Sequence, residues 1–349
     1  MSRSPERKAR RLRVCQSTVL AASLLVGASG GPVGADPVAE FYKGRQIRLI
    51  VGGEAGSEYD TWARLITRHM GRHIPGQPTF IVNNMPGGGQ IIATNFLFNL
   101  AERDGSVIGM VSRNLPYLAL TRAPTLRGDA THLHWLGSPE RANRVCAASD
   151  KAAVRSLADL RDNQLLVGGT GAGAGTTAVP VLLSRLLDLK LKVIDGYRGS
   201  PAVMLAIERG ELEGVCLSIE ALRGSKPEWL RSGKLRVLFN MEREKLSGYD
   251  VPSVFTLTTT ERQRQILDVL NSGSDFGRPM VTPPGVPAGR VAALRNALAA
   301  MVRDPEANAD AAKSGYEPGL ITGEQMTERL AALLRTDPAI VAETEQLAK

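Results

Sequence analysis

The chain has 349 residues, 43% of them hydrophobic, and a formal charge of +8. That length and apolar content suffice for a large core, which a chain of this size usually divides between two bodies. The charge does not mark a nucleic-acid surface: +5 of it falls in the first 35 residues, where Arg3, Arg7, Lys8, Arg10, Arg11 and Arg13 face only Glu6, and the later Arg223, Lys226 and Arg231 group lacks interleaved aromatics and reads as a solvated helix face.

The arginine cluster leads into an uncharged apolar run at 19–26 and then into small residues ending at Ala35, before Asp36-Pro37. This is the layout of a secretory signal; it predicts cleavage after Ala35 and a periplasmic protein. The run is too short to be a membrane anchor, which needs about 20 residues. Arg10-Arg11 leaves twin-arginine export open beside the general route. Cys15 precedes the apolar run and so cannot become a lipid-modified first residue. Cys146 and Cys216 remain in a compartment that permits disulfides. A bridge between them would close a loop of about 70 residues and contribute on the order of 4 kcal/mol, although the apolar run around each favours a buried free thiol.

From Gln46 onward, short apolar runs at 47–51, 80–83, 107–111, 165–168, 191–195, 214–218 and 235–239 alternate with helical patterns. Strands that are apolar throughout and separated by helices predict an α/β fold with parallel sheets covered on both faces. Trp62, Leu65, Ile66, Met70 and Ile74 recur at helical spacing opposite Arg64, Arg68 and Arg72, and Ser57 with Asp60 has the form of a capping box. A second helix is expected after Gly89, with Ile92, Phe96 and Leu100 as its buried row; others are expected over 179–189 and from Ser200-Pro201. Beyond Pro287 the pattern predicts three helices, with breaks at Asp304-Pro305, at 315–319 and at Asp337-Pro338.

Four joints share a loop of small residues directly after a β run and directly before a helix: 52–57, 85–89, 168–177 and 196–200. In open α/β sheets ligands bind beyond the carboxyl ends of strands, where such joints gather, and small side chains let the backbone come close. Unpaired amides at each following helix start would favour an anion, with no catalytic side chain required. Within the third joint, Gly169, Gly171 and Ala174 match G-x-G-x-x-A, but dinucleotide binding is discounted for want of an acidic residue ending the next strand. No Gly-Lys-Ser or Gly-Lys-Thr follows the glycines, which excludes a P-loop.

Phe41-Tyr42-Lys43-Gly44, Asn84-Met85-Pro86-Gly87-Gly88-Gly89, Asp104-Gly105, Gly196-Tyr197-Arg198-Gly199-Ser200 and Pro283-Pro284-Gly285-Val286-Pro287-Ala288, in that order, resemble the tripartite tricarboxylate transporter receptors, the TctC or Bug-type periplasmic binding proteins. The resemblance spans essentially all of 36–349. It implies a type II periplasmic-binding fold, in which two α/β lobes joined by two crossing strands hold a small carboxylate, and it implies no reaction and no cofactor. Lobe one is expected over 36–140 and 245–349, and lobe two over 141–244. The implied partners are the carboxylate and the membrane subunits of a transporter, with the receptor itself a monomer.

By position, Gly53, Glu54, Ser57, Asp60, Pro86, Gly87 and Gly88 would grip the ligand from lobe one, and Gly173, Thr176, Thr177, Tyr197 and Ser200 from lobe two. The family's first loop commonly reads Pro-Gly-Gly and then Asp; here Glu54 and Glu58 are added, which leaves an amino group, a metal-chelated acid or solvent as what they face. A His common after the third loop is absent, with Thr176 and Thr177 nearby. Arg113 and Arg278, each in or near a strand-end segment, are candidates for bidentate carboxylate capture, with surface or structural roles as the alternative, and Glu220 is a candidate cleft residue or a cap. His132 and His134 would share a strand face, but no third metal ligand accompanies them. The rival functions are an exported hydrolase, which lacks a G-x-S-x-G elbow, and a sensor module with the same binding chemistry.

Overall fold

The computed structural model describes residues 36–348, so the expected signal segment lies outside the described residues. In chain order the elements are α1 (Pro37–Tyr42), β1 (Gln46–Val51), α2 (Glu58–His69), β2 (Thr79–Asn84), α3 (Ile91–Asn99), β3 (Val107–Met110), α4 (Leu115–Leu120), β4 (His134–Ser138) and β5 (Arg144–Ser149). Next come β6 (Leu165–Gly168), α5 (Gly175–Leu187), β7 (Leu191–Ile194), α6 (Ser200–Arg209), β8 (Gly214–Ser218), α7 (Ile219–Ser225), α8 (Pro227–Ser232) and β9 (Leu235–Asn240). The chain closes with α9 (Glu261–Asn271), β10 (Met280–Thr282), α10 (Ala288–Arg303), α11 (Pro305–Lys313), β11 (Ile321–Thr322), α12 (Gly323–Leu333) and α13 (Pro338–Ala348). None of the described helices is long and apolar enough to cross a membrane.

The strands form two sheets, in the orders β11-β4-β10-β3-β1-β2 and β7-β6-β8-β5-β9. Each sheet is mixed, which corrects the expectation of parallel sheets. Strands β2, β1 and β3 run parallel, as do β7, β6 and β8; β10 is antiparallel to β3, and β5 is antiparallel to both β8 and β9. The reversed strands β5 and β10 are those that the chain enters after leaving the other sheet, at 139–143 and after β9.

Helix α2 forms as its pattern dictates. Ser57 caps it by accepting from the Asp60 amide, and Trp62, Leu65 and Ile66 are buried while Arg64 and Arg68 face outward. Helix α3 differs from expectation: Ile92 and Leu100 are exposed, and Ile91, Thr94, Leu97 and Phe98 are buried. Its sequence is apolar nearly all round, so periodicity alone could not choose the face. The stretch beyond Pro287 makes four helices rather than three, because each of the three breaks separates two. Residues 245–349 divide their packing: α10 and α11 bury Leu294, Leu298 and Ala311 beside the first sheet, whereas Ile266, Leu270 and Ile340 of α9 and α13 share a cluster with Leu182 and Leu183 of α5.

Cys146 and Cys216 stand opposite each other in the β5–β8 register and are disulfide-bonded, with an S–S distance of 1.94 Å, so the expected free thiols are paired. The bridge closes a loop of 70 residues within the second sheet. Replacing both cysteines by alanine is expected to lower the unfolding free energy by about 2–4 kcal/mol, read from urea midpoints at constant m-value.

Candidate functional site

The four small-residue joints meet in one cavity between the sheets that opens to solvent. Gly53, Glu54, Ser57, Glu58 and Tyr59 enter from the β1–α2 joint, Gly89 and Gln90 from β2–α3, Thr170, Ala174, Gly175 and Thr176 from β6–α5, and Arg198, Gly199 and Ser200 from β7–α6. Ser112 and Arg113, beyond β3, and Leu217 complete the wall. The cavity is therefore ringed by the starts of α2, α3, α5 and α6. Ser57 caps α2, but no side chain caps α3, α5 or α6. Their free first-turn amides and positive dipole ends make the cavity suited to negative charge.

The two sides touch where glycine lets the backbones meet. A Cβ at Gly89 would overlap Gly173 and Ala174, and one at Gly173 would come within 2.5 Å of the Gly88 carbonyl oxygen. Asn114 Nδ2 donates to the Gly173 carbonyl at 3.2 Å, and Ser200 Oγ donates to Glu58 Oε2 at 3.0 Å across the cleft.

Arg113 is the buried cation of the lining, 7% exposed. Its backbone N–H donates to Tyr59 Oη at 3.2 Å, but its guanidinium makes a single long bond, from Nη1 to the Ala142 carbonyl at 3.4 Å. No carboxylate lies within ion-pairing distance of it among the described residues. Burial first, and then the neighbouring Arg278 charge, holds Arg113 below the usual arginine range. The guanidinium is thus positioned to gain from an incoming anion.

Of the expected ligand residues, Gly53, Glu54, Ser57, Arg113, Thr176 and Ser200 line the cavity. The others stand behind it. Asp60 organises its own loop, accepting from the Gly56 amide at 2.9 Å, Arg64 Nε at 2.9 Å and Asn84 Nδ2 at 3.0 Å. Burial works to raise its pKa, but the hydrogen bonds from Arg64, Gly56 and Asn84 outweigh it and hold the carboxyl below the usual range. Pro86, Gly87 and Gly88 are not in the lining, Gly88 instead lying against Gly171 and Gly173, and Gly173 spends its contacts on the opposite loop. Thr177 Oγ1 and the Gly171 amide both donate to Asp195. Asp195 does directly follow β7, contrary to the sequence expectation, and its Oδ1 accepts both of these loop bonds. Tyr197 packs on the apolar cluster of the second sheet. Glu220 accepts from the amide and Nδ2 of Asn143 at 3.0 and 2.9 Å.

Arg278 departs most from expectation. It is fully buried behind Tyr59, 5.2 Å from the ring centroid, with Nε 3.4 Å from Glu140 Oε1 and Nη2 donating to Ser218 Oγ at 2.8 Å. It pins together the segments where the chain changes sheets and does not face the cavity.

Sequence reasoning also missed Arg144, a buried strand residue whose Nη2 stands against the first residue of α5. Its Nε and Nη2 have no hydrogen-bond partner. Burial, with the Arg113 charge next, pushes its pKa down to about 9. Together with Arg113 it adds positive potential on this side of the cavity. The two histidines do not share a strand face, because β4 begins at His134 and His132 ends the preceding turn. Among the described residues no cluster of three His, Cys, Asp or Glu could hold a metal.

No family model matches the chain. It is 24% identical over 293 residues to a UPF0065 protein of Bordetella bronchiseptica, covering 76% of this chain and 84% of that one. Among solved structures it resembles the periplasmic binding protein BugD, with a TM-score of 0.69 and 17% identity over 88% of this chain and 98% of that one. It resembles MatC of Rhodopseudomonas palustris, solved with bound malate, with a TM-score of 0.66 and 20% identity over 87% and 99% of the two chains. A further R. palustris protein, solved with adipate, gives a TM-score of 0.66 and 20% identity over 87% and 97%. In fold, the chain is similar to these periplasmic binding proteins.

Proposed function

We propose that this chain is an extracytoplasmic solute-binding receptor that captures a small carboxylate-bearing solute and delivers it to a tripartite tricarboxylate-type membrane transporter, performing no reaction on it. The observation that carries this reading is Arg113, a buried guanidinium with one long hydrogen bond, in a cavity ringed by uncapped helix starts. Malate and adipate, bound by two proteins of the same fold, carry the carboxylate group that such a cavity would accept. A ligand gripped from both lobes favours the closed state by its differential affinity, and closure is what a membrane partner would read.

The test is a thermal-shift screen of the purified protein against small carboxylates, with the matching primary amides as controls. A carboxylate at about 100 times its dissociation constant adds ~2.7 kcal/mol of stability, so the melting point should rise by several degrees while the amide leaves it in place. Equal responses to acid and amide, or none across the panel, would reject the reading.

A further inference from the structure

We infer that the solute carries a cationic nitrogen beside its carboxylate, with Arg113 taking the acid group and Glu54 and Glu58 taking the nitrogen. This rests on the carboxylate reading above and narrows it to zwitterions of the amino-acid type.

The acidic side chains around this cleft fall into two sets. Asp60, Glu140 and Glu220 are spent on protein: Asp60 on Gly56, Arg64 and Asn84, Glu140 on Trp62 and Arg278, and Glu220 on Asn143. Glu54 and Glu58 line the cavity and have no ion-pair partner among the described residues. The Oε2 atom of Glu54 is buried and accepts no hydrogen bond, and Glu58, itself buried, accepts from Ser200 Oγ alone. A carboxylate held in a cavity with unused acceptor capacity is complementary to an ammonium group and repels a second carboxylate.

The two kinds of charge are also separately anchored. Glu54 lies against Gly199 and Glu58 bonds Ser200, both at the start of α6, whereas Arg113 is held by Ala142 and by Tyr59 and packs its backbone on Gly273. The cavity thus offers a buried cation on one set of supports and two carboxylates on another, with the exposed Arg198 also in its lining. Simple dicarboxylates satisfy the first and oppose the second, whereas an amino acid satisfies both.

The experiment is titration calorimetry of the purified protein with matched pairs that differ by the nitrogen: aspartate and succinate, glutamate and glutarate, 4-aminobutyrate and butyrate. In at least one pair the aminated member should bind about tenfold or more tighter, and Glu54→Gln or Glu58→Gln should reduce that ratio to about threefold or less while sparing the deaminated acid. Deaminated acids that bind as tightly throughout would overturn the inference and leave the carboxylate reading standing. Diamines without a carboxyl group binding as well as the amino acids, or no binding by any acid, would overturn both. If the glutamine variants weaken both members of a pair equally, Glu54 and Glu58 serve only as a latch to α6, and the inference falls. The pairs measured on the unaltered protein decide the matter even if a variant fails to fold.

Discussion

Replacing Arg113 by methionine is expected to weaken carboxylate binding by at least about 100-fold, which corresponds to ~2.7 kcal/mol, with no loss of folding stability. Each charge-assisted hydrogen bond contributes about 1.5–3 kcal/mol, and a guanidinium presents two to a carboxylate in a fixed fork. The fold asks little of this side chain, which makes only the 3.4 Å bond to the Ala142 carbonyl. Its burial beside Arg278 already disfavours its charge. Methionine keeps much of the apolar stem volume and removes a buried cation, so urea unfolding should be unchanged or slightly more resistant. Calorimetry with the tightest acid found, beside urea melts of the same sample, separates the two effects. An unaltered affinity would show that the helix starts alone hold the acid group.

The parts of this molecule legible in the sequence were those governed by local pattern. Strands β1, β2, β3, β6, β7, β8 and β9 appear as short apolar runs, and α2 shows both its buried row and its cap. Strands β4 and β5 were anticipated only as a strand face at His132 and His134 and an apolar run around Cys146, without bounds, since His134, Gly137, Arg144 and Ser149 interrupt their apolar pattern, and β10 and β11 are too short to show a period. Their pairing depends on the chain passing from one sheet to the other, a long-range event that no short window records. The Cys146–Cys216 bridge has the same origin: it needs β5 to lie antiparallel to β8, and once that register exists the two residues are direct partners.

The candidate site was legible as loops rather than as side chains. Glycine-rich joints and helix starts follow from local chemistry, and all four line the cavity. Which polar groups within them face the ligand depends on what else each can reach. Asp60 finds Arg64, Gly56 and Asn84, and Thr177 finds Asp195, so both turn away, whereas Glu54 and Glu58 find little and remain at the wall. Arg113 and Arg278 look alike in the sequence, but Arg278 has Glu140, Ser218 and Tyr59 around its guanidinium, whereas Arg113 has one long bond to a carbonyl.

That difference makes Arg278→Met strongly damaging to the fold. Glu140 is fully buried, accepts from Trp62 Nε1 at 2.6 Å and has the Arg278 guanidinium as its counter-ion. Burial raises its pKa to about 7, against the opposing pull of Arg278. Losing one partner of a buried pair costs about 3–5 kcal/mol, because the remaining charge is left without compensation. A carboxyl whose pKa is raised by folding binds its proton more tightly in the native state, so its contribution is favourable at low pH and is lost as pH rises from the unfolded value toward the native one. Without Arg278 the native pKa of Glu140 moves further up and that window extends upward. The deficit of Arg278→Met should therefore be smallest near pH 5 and reach the full ~3–5 kcal/mol near pH 8. Adding Glu140→Gln, which keeps an acceptor for Trp62 and cannot ionise, should recover a large share of the loss and flatten the pH dependence. Urea midpoints for the three variants at both pH values complete the double-mutant cycle. A deficit that ignores pH, or a double variant no better than the single one, would mean that Arg278 stabilises the crossing segments through Ser218 and Tyr59 rather than by neutralising Glu140.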